Sequence, residues 1–214
     1  MLAQTLTVAA VTGAVGALVV CELQASRAGA ALAKTVASAG FLVLALLRAD
    51  VSNGYDRWVV IALVLCLLGD VLLLVPRAFP VGLASFLVAH LAYIGAFSVI
   101  RAPRGWPWPV AVPLVVVGVA AASWLWPHLG RMRAPVLAYV AAITGMAWGS
   151  IAAAAVAAWP IAAGGVLFYL SDLAVARDRF VVRRFASRAW GLPAYYLAQV
   201  LFALTLGRTG LGRS

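Results

Sequence analysis

The sequence predicts an all-α integral membrane protein: a bundle of eight transmembrane helices that forms a single membrane domain over residues 1–214. Composition is the first reason, because 65% of the residues are hydrophobic, only 10% are charged and the mean hydropathy is +1.05. In an ordinary soluble domain about a quarter of the residues are charged. Long apolar runs separated by short gaps that contain Arg or Pro are the second reason. The alternating segments of a β-barrel, roughly ten residues each, do not occur in the sequence.

The gaps divide the chain into eight apolar spans, each close to the roughly 20 residues that cross a bilayer. The spans cover approximately residues 3–21, 28–47, 58–75, 80–100, 107–126, 134–156, 160–177 and 189–207. Only Trp159 and Pro160 divide the sixth span from the seventh. An even number of crossings puts both termini on one side of the membrane. We call the opposite side, which holds the gaps after spans 1, 3, 5 and 7, the far face.

The net charge of +10 comes from 16 basic and 6 acidic residues. Most arginines lie between spans, which is typical of charge that flanks a membrane and contacts lipid headgroups. No basic stripe interleaved with aromatic residues indicates nucleic-acid binding. We therefore expect the lipid bilayer, and no nucleic acid, as a partner, and we expect a bacterial cytoplasmic membrane as the location. The oligomeric state stays open.

Two segments of the chain resemble each other. "LLGDVLLLVPRAF" in span 3 and "YLSDLAVARDRF" in span 7 each contain Leu, a small residue and Asp, with an Arg seven residues after the Asp. Spans 3 and 7 cross in the same direction, so a 4+4 parallel repeat would explain the similarity. Chance similarity between apolar segments explains it equally well.

Charged residues inside the spans are candidates for function, because each costs about 2.5–3.5 kcal/mol at a helix centre. At about 1.5 Å rise per residue, Lys34 lies about 9 Å inside the far face, and Asp70 and Asp172 lie nearly as deep. Four further polar side chains reach this depth or a few ångströms more: His90, Tyr139, Tyr195 and Gln199. Seven polar side chains from six spans are thus predicted to share one layer.

Helical spacing indicates that these side chains face the inside of the bundle. His90 and Tyr93 are three residues apart, and Tyr195 and Gln199 are four apart, so each pair shares one helix face. Lipid would not tolerate such a face. Alone, each polar residue is typical of a hydrogen bond between helices. Together with two carboxylates and a lysine, the set indicates a functional site.

The motifs that carry these residues resemble the YhhN / transmembrane-protein-86 family of lysoplasmalogenases. The matching stretches are "LLGDVLLL", "FPVGLASFLVAHLAYIGAF", "GGVLFYLSD" and "YYLAQ", in that order, between about residue 30 and residue 207. The resemblance implies an eight-helix fold and hydrolysis of the vinyl ether bond of a lysoplasmalogen, an alkenyl lysophospholipid. The products would be a fatty aldehyde and glycerophosphoethanolamine or glycerophosphocholine. Asp70 and Asp172 carry over as the catalytic residues.

The residues fit that chemistry. A vinyl ether hydrolyses when an acid protonates its β-carbon and water captures the resulting oxocarbenium ion, so one carboxyl would act as acid and the other as base and electrostatic stabiliser. Which aspartate is the acid stays open. Eight side chains are expected to bind substrate or support the reaction: Lys34, His90, Tyr93, Tyr139, Ser171, Tyr195, Tyr196 and Gln199. No cofactor or metal is expected, because one His and two Asp at this spacing are not a recognisable metal set.

Other functions remain open at this point. A proton-coupled transporter of a small or lipid-like solute would also use membrane Asp, Lys and His, but it should carry polar residues in both halves of a pathway. An intramembrane aspartyl protease would carry Gly-x-Gly-Asp, where this chain has Leu67, Leu68, Gly69 and Asp70. A non-catalytic scaffold or lipid sensor is the remaining alternative.

Overall fold

The structure is a computed structural model that describes residues 1–207, and these residues form eight α-helices and no strand. The helices are α1 (Leu2–Leu23), α2 (Arg27–Leu46), α3 (Gly54–Leu72), α4 (Phe79–Ile100), α5 (Trp108–Leu125), α6 (Arg133–Ala154), α7 (Trp159–Ala176) and α8 (Phe185–Thr205). The predicted all-α fold with eight helices is therefore confirmed. That residues 1–214 make up one membrane domain stays a prediction, and residues 208–214 lie outside the described part of the chain.

Six of the helices are long and apolar enough to cross a membrane: α1, α2, α4, α5, α6 and α7. The other two are α3, which contains Asp56, Arg57 and Asp70, and α8, which contains Arg188 and Gln199. Their lengths, 19 and 21 residues, suit a crossing. Asp56, Asp70 and Gln199 are buried against neighbouring helices, which can satisfy polar side chains. The chain is a membrane protein, and the crossings by α3 and α8 stay predictions.

Helices that follow one another in the chain pack side by side, most extensively α1 with α2, α3 with α4, and α7 with α8. Contacts of α4 with α6 and of α2 with α8 join the two halves of the bundle. The core between them contains fully buried aromatic rings, among them Phe41, Phe97, Phe168 and Phe202. This packing brings the far-face ends of α2, α3, α6, α7 and α8 around one space, which is the candidate site.

The loop before α3 is tied to the end of α8 at the face that holds the N terminus. Asp56, which is 1% exposed, accepts hydrogen bonds from the backbone N–H groups of Asp50 and Gly207, both at 2.9 Å. The side chain of Asn53 accepts a hydrogen bond from the N–H of Tyr55 and caps the helix. Because of this cap, α3 begins at Gly54, four residues before the predicted span.

Close approaches between helices depend on small residues. A Cβ atom built on Gly69 would lie 2.6 Å from the ring of Phe86, so only glycine lets that ring pack against α3 beside Asp70. A Cβ on Gly191 would lie 2.6 Å from the Cβ of Ala174, where α7 and α8 meet. These contacts set the distances between the helices that carry the polar residues.

The two similar segments occupy corresponding places. Asp70 lies two residues before the end of α3, and Asp172 lies four residues before the end of α7. The arginines that follow differ, because Arg77 lies in a short 3₁₀ turn and Arg179 lies in a π-helical turn, Arg177–Val181. An origin by 4+4 repetition stays a prediction.

Candidate active site

Two connected cavities open the bundle toward the far face. The inner cavity, about 120 Å³, is lined by both Asp70 and Asp172 and otherwise mostly by apolar side chains of α3 to α8. The outer cavity, about 930 Å³, lies between the ends of α1, α3 and α7 and the beginnings of α2, α4 and α8. Eight residues line both cavities: Lys34, Leu73, Phe79, Val175, Arg179, Phe180, Gly191 and Leu192. A molecule could therefore occupy both spaces at once.

Asp70 is surrounded by hydrogen-bond donors. Its Oδ1 lies 3.1 Å from Lys34 Nζ, and its Oδ2 accepts hydrogen bonds from Ser38 Oγ at 2.7 Å and Tyr195 OH at 2.8 Å. The side chain of Asp70 is only 3% exposed. Tyr196 OH supports the group, since it lies 3.2 Å from both Ser38 Oγ and the carbonyl oxygen of Lys34. The partners of Asp70 are thus one lysine and two hydroxyl groups.

Asp172 has different neighbours. Its Oδ2 accepts a hydrogen bond from Tyr139 OH at 2.6 Å and lies 3.6 Å from His90 Nε2. Ser171 Oγ donates to the carbonyl oxygen of Phe168 at 2.8 Å and lies 3.5 Å from Asp172 Oδ1. No Lys or Arg pairs with Asp172 in the described part of the chain. The two aspartates therefore differ in whether a permanent cation accompanies them.

The tautomer of His90 follows from its own contacts. The Nδ1 atom lies 2.7 Å from the carbonyl oxygen of Phe86, which can only accept, so Nδ1 carries a proton. In a neutral imidazole the lone pair is then on Nε2, which is buried, has no hydrogen-bond partner and faces Asp172. Two lone pairs repel at this contact unless a further proton is present on Asp172 or on His90. The pair is therefore suited to hold one exchangeable proton.

Tyr93 and Gln199 form a third polar contact, away from both cavities. Tyr93 OH donates to Gln199 Oε1 at 2.7 Å, and both side chains are fully buried. The ring of Tyr93 packs on Phe202, with 4.5 Å between ring centroids. Neither residue lines the inner cavity. The polar side chains thus form three groups: one around Asp70, one around Asp172, and the Tyr93–Gln199 pair. Only the first two groups include residues that line the inner cavity.

The aromatic side of the inner cavity lies between the two aspartates and the bundle core. Phe86 and Tyr195 both line the cavity and pack edge to face, with 5.9 Å between ring centroids. Phe168 packs behind them, 5.3 Å from Tyr195. Aromatic faces stabilise a nearby positive charge without donating protons to it.

Comparison with known proteins places the chain in a family. The model of the YhhN family matches residues 29–206. The chain belongs to the YhhN family. It is 34% identical over 156 residues to the lysoplasmalogenase of Mycobacterium bovis, which covers 68% of this chain and 58% of that protein. It is 33% identical over 165 residues to lysoplasmalogenase TMEM86B of Mus musculus, with 76% and 70% covered, and 32% identical over 159 residues to the human protein of that name, with 74% and 67% covered.

This YhhN-family chain spans less than two thirds of the mycobacterial relative's length, since only 58% of that protein is matched. No solved structure matches the chain. The family resemblance drawn from the sequence motifs is confirmed. Of the matched motifs, "LLGDVLLL" and "YLSD" contain the aspartates that line the inner cavity, and "YYLAQ" contains Tyr195 and Tyr196 beside Asp70.

Sequence reasoning missed two parts of this YhhN site. Ser38, whose hydroxyl donates to Asp70, lies four residues after Lys34 on α2, and that spacing could have revealed it. Arg179 lies between the two cavities, but no sequence signal separates it from the other arginines of the same gap. Within residues 1–207, no three His, Cys, Asp or Glu side chains come together as metal ligands. That the protein needs no metal or cofactor stays a prediction.

Proposed function

We propose that the protein is a membrane-embedded hydrolase that cleaves the vinyl ether bond of lysoplasmalogens to a fatty aldehyde and a glycerophospho-base. The observation that carries the proposal is that two carboxyl groups with unlike partners, Asp70 and Asp172, line one small and largely apolar cavity. Relatives that share the family bear the name lysoplasmalogenase. Acid and base on one substrate require carboxyl groups in two different protonation states.

Asp172 is the proposed general acid. Its Oδ2 lies 3.6 Å from Nε2 of His90, a group that can exchange a proton, and the tautomer of His90 leaves room for one more proton on the pair. An unpaired carboxylate in a dry cavity is costly, which favours the protonated form. Tyr139 OH donates to Oδ2, the same oxygen that faces His90 Nε2, so this hydroxyl orients the carboxyl toward the imidazole.

Asp70 is the proposed base and electrostatic stabiliser. Lys34 keeps its charge compensated, and Ser38 and Tyr195 fix the orientation of Oδ2. In the proposed reaction, the acid protonates the β-carbon of the vinyl ether and the α-carbon becomes an oxocarbenium ion. The Asp70 carboxylate and the faces of Phe86 and Tyr195 stabilise that cation. Water adds to the α-carbon and gives a proton to Asp70. As the hemiacetal collapses, Asp70 protonates the departing glycerol oxygen and the hemiacetal hydroxyl gives its proton to Asp172, which yields aldehyde and alcohol and restores both carboxyl groups.

The two cavities suit the two ends of such a lipid. The apolar lining of the inner cavity includes Leu125, Val136 and Ile143, which would contact the alkenyl chain. The outer cavity is wide and lined by charged residues, which suits a glycerophosphate. The vinyl ether joins these two parts of the molecule, so it would lie at the junction, beside the aspartates.

The deciding experiment follows aldehyde release from 1-alkenyl-lysophosphoethanolamine by purified protein in detergent, with the reaction run in D₂O. Protonation at carbon predicts one deuterium at C2 of the aldehyde. Asp70→Asn and Asp172→Asn should each lower kcat by roughly 10²–10⁴-fold, the usual contribution of a positioned acid or base.

Asp56→Asn is the matched control, because it changes a third buried aspartate that lies at the opposite face. Its activity per folded molecule should equal that of the wild type. An absence of aldehyde from the folded wild-type protein, with ethanolamine and choline lysolipids alike, would overturn the proposal. The polar residues would then be tested in vesicles as a proton-coupled transport site.

A further inference from the structure

The outer cavity contains more positive than negative charge. Its lining includes five basic side chains, namely Arg27, Lys34, Arg179, Arg183 and Arg188, and two acidic ones, Glu22 and Asp178. Lys34 is already paired with Asp70. The remaining charges therefore decide what the cavity attracts.

Arg188 pairs with both acidic residues. Its guanidinium pairs with Glu22, and its Nε lies 3.7 Å from Asp178 Oδ1. Asp178 Oδ1 also accepts a hydrogen bond from the backbone N–H of Arg184 at 2.9 Å. The carboxylates of the cavity thus have partners within the wall.

Three arginines are left without an acidic partner among the described residues: Arg27, Arg179 and Arg183. Arg179 is held in position by an aromatic contact, since its guanidinium carbon lies 3.9 Å above the ring centroid of Phe79. Stacking on a ring leaves the N–H groups at the edge of the guanidinium available to bind an oxyanion. Arg179 also lines both cavities, which puts it at their junction.

Helix ends add to the positive potential. Ser26, the N-cap of α2, and Arg184, the N-cap of α8, make no side-chain capping bond, and both helices begin at the wall of the outer cavity. The first N–H groups and the dipole of a helix favour an anion at its N-terminus. Two helix starts and three arginines without acidic partners therefore converge on one space.

We infer that the outer cavity is a binding site for the phosphodiester of the lysolipid headgroup, with Arg179 and Arg27 as its principal ligands. The inference rests on the proposed function, because the glycerol between phosphate and vinyl ether would pass the junction between Arg179 and Lys34. Guanidinium groups bind phosphate oxygens through paired hydrogen bonds. The site holds the headgroup and so strengthens binding of the phospholipid.

The test compares two substrates, 1-alkenyl-lysophosphoethanolamine and 1-alkenylglycerol, which has the same vinyl ether and no phosphate. Arg179→Gln and Arg27→Gln should each raise KM for the phospholipid about 10- to 100-fold, the loss of a charge-assisted hydrogen bond. Neither should change KM for 1-alkenylglycerol, and kcat should stay near the wild-type value for both. Arg104→Gln, at an exposed turn near the other face, is the matched control and should change nothing.

Two further measurements separate the alternatives. Binding of the saturated 1-alkyl ether lysophosphoethanolamine, which cannot undergo the reaction, should weaken in Arg179→Gln and Arg27→Gln by the same factor as KM. This binding measurement tests the headgroup site without turnover. If the wild type released no aldehyde, only the proposed function would be overturned, and the binding result would still test the site. Inorganic phosphate in excess should compete weakly. Equal effects of the variants on both substrates, unchanged lysolipid binding, or stabilisation by inorganic phosphate as large as that by the lysolipid would each overturn the headgroup assignment.

Discussion

At the scale of single residues, the site distinguishes two identical side chains by their neighbours. Asp70 has a lysine and two hydroxyl donors, whereas Asp172 has a tyrosine hydroxyl and an imidazole. An opposite charge nearby favours the charged form of a carboxyl, and a neighbour that can exchange a proton would let the other carboxyl change its state. The difference in neighbours is what would allow one cavity to contain both an acid and a base.

Tyr139→Phe tests whether Asp172 needs its hydroxyl partner. The change removes the 2.6 Å hydrogen bond to Oδ2, and the carboxyl would lose its orientation toward His90. We expect kcat to fall about 10- to 100-fold, because hydrogen bonds to charged or proton-transferring groups contribute about 1.5–3 kcal/mol. Aldehyde release and the H₂O/D₂O rate ratio are the measurements.

The control for that change is Tyr55→Phe. Tyr55 is fully buried, whereas Tyr139 is half-buried, and the hydroxyl of Tyr55 lies 2.6 Å from Thr205 Oγ1, near the face opposite the cavities. It should lose stability and keep its activity per folded molecule. If Tyr139→Phe also kept full activity, orientation of Asp172 by Tyr139 would be disproved.

At the scale of helices, small residues decide how closely the polar groups can meet. Predicting the eight helices required only the apolar runs and their gaps, because an apolar run of about 20 residues is typical of a helix that crosses a membrane. Helix rotation and pairing are different, since they depend on the shapes of side chains in contact. Glycines such as Gly69 and Gly191 could be read in the sequence, but their partners Phe86 and Ala174 could not.

Gly165→Ala should weaken the contact between α6 and α7. A Cβ on Gly165 would overlap Ser150 Oγ and lie 2.5 Å from Ser150 Cβ, which is attached to the backbone and cannot rotate away. We expect a loss of about 1–3 kcal/mol, as for other overpacked interiors. Thermal unfolding in detergent is the measurement.

Gly16→Ala is the matched control on α1, where nothing lies within 4 Å of an added Cβ. Replacing an exposed helical glycine by alanine should leave stability unchanged or raise it slightly. If both variants unfolded at the same temperature, close packing at Gly165 would not contribute to the fold.

At the scale of the whole molecule, the charged side chains that line the two cavities lie at one end of the bundle. The sequence predicted this, because Lys34, Asp70 and Asp172 all lie a few residues from the far-face ends of their spans. It could not separate the cavity-lining residues from the internal Tyr93–Gln199 contact, since depth along a helix does not fix direction around it. The position of Arg179 at the junction of the cavities could not be predicted either, because it depends on the path of the chain after α7.

Cys21 should report which side the cavities open to. It is half-buried, lines the outer cavity near the end of α1, and lies at the opposite end of that helix from the N terminus. In sealed vesicles a membrane-impermeant maleimide should therefore label Cys21 only from the side opposite an N-terminal tag. Labelling is detected by mass after proteolysis.

Cys66 serves as the internal control, since it is fully buried and should react only after unfolding. Saturated ether lysophosphoethanolamine should slow the labelling of Cys21 by filling the outer cavity. Labelling from the same side as the tag would contradict the arrangement of α1 in the membrane.

Because the cavities open at one end of the bundle, the lipid substrate would be supplied from one side of the membrane. A lysolipid would reach the aspartates from a single leaflet, and the aldehyde would return to that same leaflet while the glycerophospho-base left into the adjoining water. In a sealed vesicle with uniformly oriented protein, turnover should stop when the accessible leaflet is exhausted and then continue only as fast as lipid crosses the bilayer. A cell could thus clear ether lysolipids from one surface of its membrane and leave the other surface unchanged.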